Sequence, residues 1–588
     1  MKYFRLFLAW RIKHVQEKHL VIFLSIIIGI CAAIAAVILK TLVHSIESLV
    51  RGIADVHYVN WLYFALPFIG ILLTVAYIKT FVKDDISHGV TKILIAISKS
   101  KGYIKLHNIY SSVIACALTS GFGGSVGMEA PIVYTGSAIG SNISRAFRLN
   151  SKKTMLMVGC GAAAAIAGIF KAPIAGLIFA LEVLMLDLTL ASIIPLLIAT
   201  VTGAIVSAIL LGHDIVFNFA VHDVFNYANI PLYILLGVVS GFVSLYFSKV
   251  NYFVEVHLLK ITKTYKKILL GGLALGIMIF IFPPLYGEGY ISLKSILVGN
   301  ANSLLDNSLF YKFIGNEWIF VLFLVFVLLF KAFATSVTTG SGGIGGIFAP
   351  SLFVGGLTGF IVGRIINLTG LHHVSEVNFT LVGMAGLMAG VVHAPLTAIF
   401  LIAEITGGYA LFIPLILTAS ISYLTIIYFE PHSLYHKKLA LSGDLITHHK
   451  DKAVLTLLKV DSVIEKNLTA IAPNNTLGDL VKVIATSKRN IFPVVDERGI
   501  FLGLIPLDNV REIMFDKESY NTIKVQDLMI QPLDYVKIND SMDMVMEKFK
   551  DTGLWNLPVI DNGKYIGFVS RANVFNAYRK LLIEFSDE

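Results

Sequence analysis

The sequence predicts an all-α polytopic membrane protein made of two related halves, followed by a small α/β tail. Three observations predict it. Of 588 residues, 56% are hydrophobic and only 14% charged, with a mean hydropathy of +0.78, values outside the range of a water-soluble chain. Apolar segments broken by glycine and proline recur at matched positions in two parts of the chain. Beyond about Tyr435 the hydropathy collapses, and short β-branched runs begin to alternate with amphipathic ones.

The runs Val21 to Leu42, Trp61 to Phe81 and Trp318 to Phe333 are among those long enough for a hydrocarbon core of ~30 Å, which takes ~20 apolar residues. The formal net charge of +9 does not signal a nucleic-acid partner, because basic residues gather at segment ends. Lys2, Arg5, Arg11, Lys13 and Lys18 precede the first span and predict a cytoplasmic N-terminus. No small-residue cleavage site closes a short apolar region, so the first span is expected to be retained as an anchor. Cys31, Cys116 and Cys160 lie in apolar segments without CxxC or Cys/His spacing. They are expected to be buried small hydrophobes, and neither redox chemistry nor a metal site is expected.

The membrane part is expected to span residues 1–445, in halves of about 1–230 and 231–445, with a polar linker over 446–460. The tail, residues 461–588, is expected on the cytoplasmic side. Within it, I-F-P-V-V-D from Ile491 and G-L-I-P-L-D-N from Gly503 recur as L-P-V-I-D from Leu557 and G-F-V-S-R-A-N from Gly567. Two copies of one small fold follow, about 461–519 and 520–588.

The membrane repeat is the most informative feature. A-G-I-F-K-A-P-I-A-G-L-I-F-A-L-E-V from Ala167 matches A-G-V-V-H-A-P-L-T-A-I-F-L-I-A-E-I from Ala389, and Glu182 falls on Glu404. Upstream, G-G-S-V-G-M-E-A-P from Gly123 matches G-G-I-G-G-I-F-A-P from Gly342. Broken apolar segments at corresponding places in two halves point to a transport site between them. A helix that starts inside the membrane has unpaired N–H groups and a partial positive charge at its tip, so it can stabilise a desolvated anion without a full cation. Gly127 to Pro131 and Gly346 to Pro350 both have the required glycine and proline. Glycine-rich stretches also serve close helix packing; their duplication at matched positions favours the site.

Glu129 is an ionisable residue in an apolar segment, where function is the default expectation. Its counterpart is Phe348, so the repeated fold does not demand the carboxylate. A carboxylate there can occupy an anion's place and leave it on protonation, acting as gate or proton carrier; the alternative is a cap on its own helix. Glu182 and Glu404, kept in both halves, are expected to be structural. The G-x-S-x-G match at Ser125, with His393 as partner, raises an intramembrane serine hydrolase as a remote alternative. It lacks strand-turn-helix context, and Ile344 replaces the serine in the second half; no enzyme activity is expected. On residues alone, His88 and Tyr435 are interfacial polar groups.

G-M-E-A-P at Gly127, G-I-F-A-P at Gly346, the duplicated A-P segments and the paired tail repeat resemble the CLC chloride channels and chloride/proton exchangers over nearly the whole chain. The resemblance implies two inverted halves per subunit, a homodimer in the cell membrane, and a cytoplasmic pair of CBS domains. It also implies that Glu129 is the gating glutamate, although Met128 and Ala130 replace the family's basic residue and second glycine. By the same resemblance, Gly127, Gly346, Ile347, Phe348 and Tyr435 belong to the anion site. His88, in S-H-G-V-T, stands at the family's anion-binding serine, which leaves the choice among chloride, fluoride and nitrate open and suggests pH-dependent conduction. Val183 stands where exchangers commonly carry a second glutamate, so channel-like transport is expected and chloride/proton exchange is the alternative. In the tail, Asn509, Pro558, Ser570 and Asn573 match the CBS pattern for an adenine nucleotide (ATP, ADP or AMP), with Pro506 where the first copy's hydroxyl would be; a scaffold without ligand is the alternative. No cofactor is otherwise expected.

Overall fold

The computed structural model describes residues 11, 14–54, 60–87, 89–186, 189–212, 225–306, 308–313, 315–370, 372–441 and 458–586. The chain divides into two compact units, Met1–Gly443 and Asp444–Glu588.

In the first unit, the helices of the first repeat are α1 (Glu17–Ala54), α2 (Asn60–Tyr77), α3 (Gly89–Lys99), α4 (Ser111–Gly121), α5 (Glu129–Ala146), α6 (Ser151–Phe170), α7 (Pro173–Glu182) and α8 (Leu190–Leu211). The second repeat follows as α9 (Ile230–Leu259), α10 (Thr264–Ile281), α11 (Tyr290–Leu297), α12 (Glu317–Gly340), α13 (Phe348–Thr369), α14 (Glu376–Val392), α15 (Pro395–Ile405), α16 (Phe412–Ile427) and α17 (Lys437–Leu441). Among the described residues, eight helices are long and apolar enough to cross a bilayer. The run Val21 to Leu42 lies in α1, and Trp318 to Phe333 lies in α12.

The duplicated A-P segments make the same break twice. Helices α6 and α14 stop at Lys171 (φ 56°) and His393 (φ 57°), both in the left-handed region. An alanine follows in each case, and Pro173 or Pro395 then begins a new helix at its first position. Proline disfavours helical backbone in the residue before it, and Ala172 and Ala394 are indeed non-helical. Its missing N–H costs nothing where the first-turn N–H groups lack intrahelical partners.

The remaining first-turn amides of α7 and α15 are satisfied across the repeat. Glu404 accepts from the amides of Ile174 (3.0 Å) and Ala175 (2.8 Å). Glu182 accepts from the amides of Leu396 (3.1 Å) and Thr397 (2.7 Å), and from the Thr397 hydroxyl (2.7 Å). Each glutamate ends one helix and caps the start of the other, so α7 and α15 run antiparallel. In hydrocarbon these amides have no water to turn to, and a carboxylate also suits the positive end of the helix dipole.

In the second unit, β2 (Ile491–Val495) and β3 (Phe501–Pro506) form one hairpin. The other, β4 (Asn556–Asp561) and β5 (Lys564–Ser570), is joined by β1 (Ile464–Glu465) into a sheet of order β1-β5-β4. Both hairpins are antiparallel and shift register one residue after the central valine, Val494 or Val559, as two copies of one sequence should. Each copy has its own core: Phe492, Val494 and Ile505 pack with α18 (Leu477–Thr486), and Leu557, Val559 and Val569 pack with α19 (Met542–Thr552). A last helix, α20 (Arg571–Ser586), follows β5. The sequence repeat does not announce that Leu458, Val460 and Val463 join the core of the second copy, where Ile464 pairs with Val569.

Candidate anion site

Gly127 and Gly346 meet. The Gly127 amide donates to the Gly346 carbonyl (2.9 Å) and the Gly346 amide to the Gly127 carbonyl (2.8 Å), an antiparallel bridge between the repeats. Helices α5 and α13 begin two residues later, at Glu129 and Phe348, after Met128 and Ile347 whose side chains cap nothing. Two helix N-termini therefore open side by side inside the protein.

Glycine is needed at the bridge on steric grounds. A Cβ on Gly346 would stand 2.8 Å from the Cβ of Ala130, and one on Gly127 would stand 2.9 Å from the Cβ of Ala349. Threonines from opposite repeats hold the two turns. The Thr119 hydroxyl accepts from the Ile344 amide (2.9 Å), and the Thr338 hydroxyl accepts from the Ser125 amide (3.3 Å). Sequence reasoning missed this exchange, although both threonines precede the duplicated glycine turns and could have been paired.

Glu129 is 2% exposed. Its Oε1 accepts from the Tyr290 hydroxyl (2.7 Å), and its Oε2 lies 3.4 Å from the Ala349 amide in the first turn of α13. The carboxylate from one repeat thus stands at the helix start of the other, where a bound anion would be stabilised. Phe348, its counterpart, is buried with its ring 5.6 Å from that of Phe170.

Gly346, Ile347 and Tyr435 line one cavity of about 60 Å³ together with Gly89, Thr91 and Ala130. That is room for an ion or water, since one water needs roughly 10–15 Å³ of such space. Tyr435 is 7% exposed, and its carbonyl accepts from the Thr91 hydroxyl (3.1 Å). His88 lies outside the described residues. Just before it, Asp85 accepts from the Ser87 amide (3.0 Å) and hydroxyl (2.6 Å) and pairs with Lys92 (2.9 Å). Burial works to raise the Asp85 carboxyl, but the bonds from Ser87 and Lys92 outweigh it and hold the group at about 2.

Ser125 and His393 do not form a dyad. The Ser125 hydroxyl has no hydrogen-bond partner among the described residues, and the His393 ring lies edge-on to Tyr423, centroids 5.6 Å apart. The role His393 does fill is that of helix stop. Also missed by sequence reasoning were Tyr290, Glu288, whose Oε1 accepts from the Met128 amide (3.1 Å), and Lys331, fully buried in α12. Lys331 carried a signal, an ionisable residue within an apolar span; Glu288 and Tyr290 fall in an unduplicated turn and carried none.

In the tail, the Ser570 hydroxyl donates to Glu465 (2.5 Å) and accepts from the Asn573 amide (3.2 Å) at the start of α20. Glu465 also pairs with Arg489. Pro558 sits in β4 opposite Phe568, and Asn509 is exposed.

The fold and this geometry define a multi-pass membrane protein whose two repeats meet at paired helix starts. Residues 70–426 match the family model described as "Voltage gated chloride channel", and residues 460–516 and 525–580 each match that of the CBS domain. The chain belongs to the voltage gated chloride channel family, with two CBS domains behind its membrane part. It is 26% identical over 565 residues to the chloride channel protein CLC-f of Arabidopsis thaliana, covering 82% of this chain and 69% of that protein. It is 30% identical over 312 residues to the H(+)/Cl(-) exchange transporter ClcA of Vibrio cholerae serotype O1 (strain M66-2), covering 51% of this chain and 62% of that protein. Among solved structures, a eukaryotic CLC transporter aligns with a TM-score of 0.62 at 16% identity, over 95% of this chain and 99% of that one, a likeness of fold.

Proposed function

We propose that the chain is a gated, channel-like pathway for small anions, chloride first, in which Glu129 competes with the ion for the helix starts of α5 and α13. The observation that carries this reading is the Glu129 carboxylate at the first-turn amide of Ala349, across the Gly127–Gly346 bridge. Protonation removes its charge and its claim on that position, so flux rises as pH falls. Backbone amides of Ile347 and Phe348 and the hydroxyl of Tyr435 take the ion inward of the gate.

The alternative is chloride/proton exchange, favoured by similarity to an H(+)/Cl(-) exchange transporter. Val183, immediately after Glu182, has no titratable group with which to pass a proton, which supports uniport. Chloride flux in reconstituted vesicles, recorded together with proton movement and repeated with fluoride and nitrate, tests the choice. Flux without uphill proton movement is expected; robust proton pumping driven by a chloride gradient would overturn it.

The working unit is a homodimer in the cell membrane, with the N-terminus and tail in the cytoplasm, as the basic residues before the first span support. The tail takes an adenine nucleotide through Ser570 and Asn573, supported by the CBS matches. Because Ser570 is engaged by Glu465, nucleotide binding must displace that bond. Calorimetric titration of the full-length protein with ATP, ADP and AMP tests this; no heat with any of them would reject it.

A further inference from the structure

We propose that Tyr290 and Glu288 are positioning residues that set, in opposite directions, the pH at which the Glu129 gate opens. The inference rests on the reading of Glu129 as gate.

Residues Leu285 to Tyr290 form a strap from the second repeat over the glycine turn of the first. The Gly287 amide donates to the Gly123 carbonyl (3.2 Å), Glu288 accepts from the Met128 amide (3.1 Å), and the Tyr290 hydroxyl donates to Glu129 (2.7 Å). The strap is anchored from behind by Lys331. Its ammonium donates to the carbonyls of Gly287 (2.8 Å) and Leu285 (3.3 Å) and stands 5.0 Å from the centre of the Phe353 ring. A turn in hydrocarbon leaves carbonyls to satisfy, and a fully buried lysine, within electrostatic reach of Glu288, does so here.

The two strap residues act on Glu129 with opposite sign. Tyr290 donates a hydrogen bond to the carboxylate, which stabilises the charged, closed form. Glu288 binds the amide of Met128, the residue next to Glu129, and two carboxyls crowded into one buried site disfavour each other's charged form. Other groups also bear on this pair: Lys40 and Glu47 of α1 act on Glu288, while Cys116 of α4 and Tyr435 lie within electrostatic reach of Glu129. None of them donates a described hydrogen bond to Glu129, so Tyr290 is the polar side chain that holds it.

The test is the pH of half-maximal chloride flux in vesicles containing the full-length chain. Tyr290→Phe keeps the ring and removes the donor. A hydrogen bond to a charged group is stronger than one between neutral groups, so its loss should move the midpoint up by about one to two pH units. Glu288→Gln keeps an oxygen for the Met128 amide and removes the charge, and should move the midpoint down by about half a unit. A purely structural strap would shift both variants the same way or only lower the flux.

Shifts in the same direction, or midpoints within about 0.2 unit of the native one, would overturn the proposal. So would a Tyr290→Phe shift that persists in a Glu129→Gln background, because the hydroxyl would then act elsewhere. A native pH profile in Glu129→Gln alone would instead remove the reading of Glu129 as gate. The two failures are therefore separable.

Discussion

Glu182 and Glu404 do the same job from opposite repeats, each capping the first turn of the other's short helix. Glu129 and Phe348 stand at equally matched positions and do different things: one puts a carboxylate against a helix start, the other buries a ring against Phe170. A requirement met twice belongs to the architecture, because both repeats must solve it. A group present once is not needed to build the fold and is free to respond to pH or to an ion.

The sharpest way to break this comparison is Glu129→Gln. Flux should lose its response to pH through this gate and, at neutral pH, rise by about tenfold or more, since ~1.4 kcal/mol already equals a factor of ten. Phe348→Leu should leave the pH profile in place. If Phe348→Leu abolished the pH response while Glu129→Gln preserved it, the roles assigned to symmetric and unique positions would be reversed.

Next in size, Glu182→Ala and Glu404→Ala should each destabilise the fold by about 2–6 kcal/mol, because each leaves two helix-start amides without partners at ~1–3 kcal/mol apiece. Unfolding of the detergent-solubilised protein measures this loss. Glu182→Ala, which also strands the Thr397 hydroxyl, should lose somewhat more than Glu404→Ala, and the pH midpoint of whatever protein survives should not move. A changed midpoint with unchanged stability would make these glutamates part of the gate.

Smaller still, Thr119→Val and Thr338→Val should cost about 1 kcal/mol each, the net value of a neutral hydrogen bond. Their partners, Ile344 and Ser125, are matched, but the Thr119 hydroxyl also bonds the Thr74 hydroxyl (2.9 Å), so its loss should be somewhat the larger. A large loss for one alone would show that the two glycine turns are not equivalent supports.

Much of this was legible in the residues, and the reason is duplication. G-M-E-A-P against G-I-F-A-P marks both the shared glycine and the unshared glutamate, and K-A-P against H-A-P marks the two helix breaks. What the letters could not carry is which groups from the two repeats touch. That Glu404 reaches Ile174, or that Thr338 reaches Ser125, depends on an antiparallel crossing no local pattern encodes. Tyr290 and Glu288 escaped notice for a plainer reason: their turn has no second copy to be compared with. In the tail, a valine-rich run at Leu458 to Val463 looks like the edge of the first copy, yet it serves the core of the second.

The exchanged caps bear on how the protein is made. The first repeat leaves the ribosome well before Glu404 is synthesised, so the amides of Ile174 and Ala175 must wait, in or beside the bilayer, for a partner more than two hundred residues downstream. Biogenesis must therefore keep that segment hydrated or shielded until the later repeat arrives, and the two repeats reach their final hydrogen bonding together.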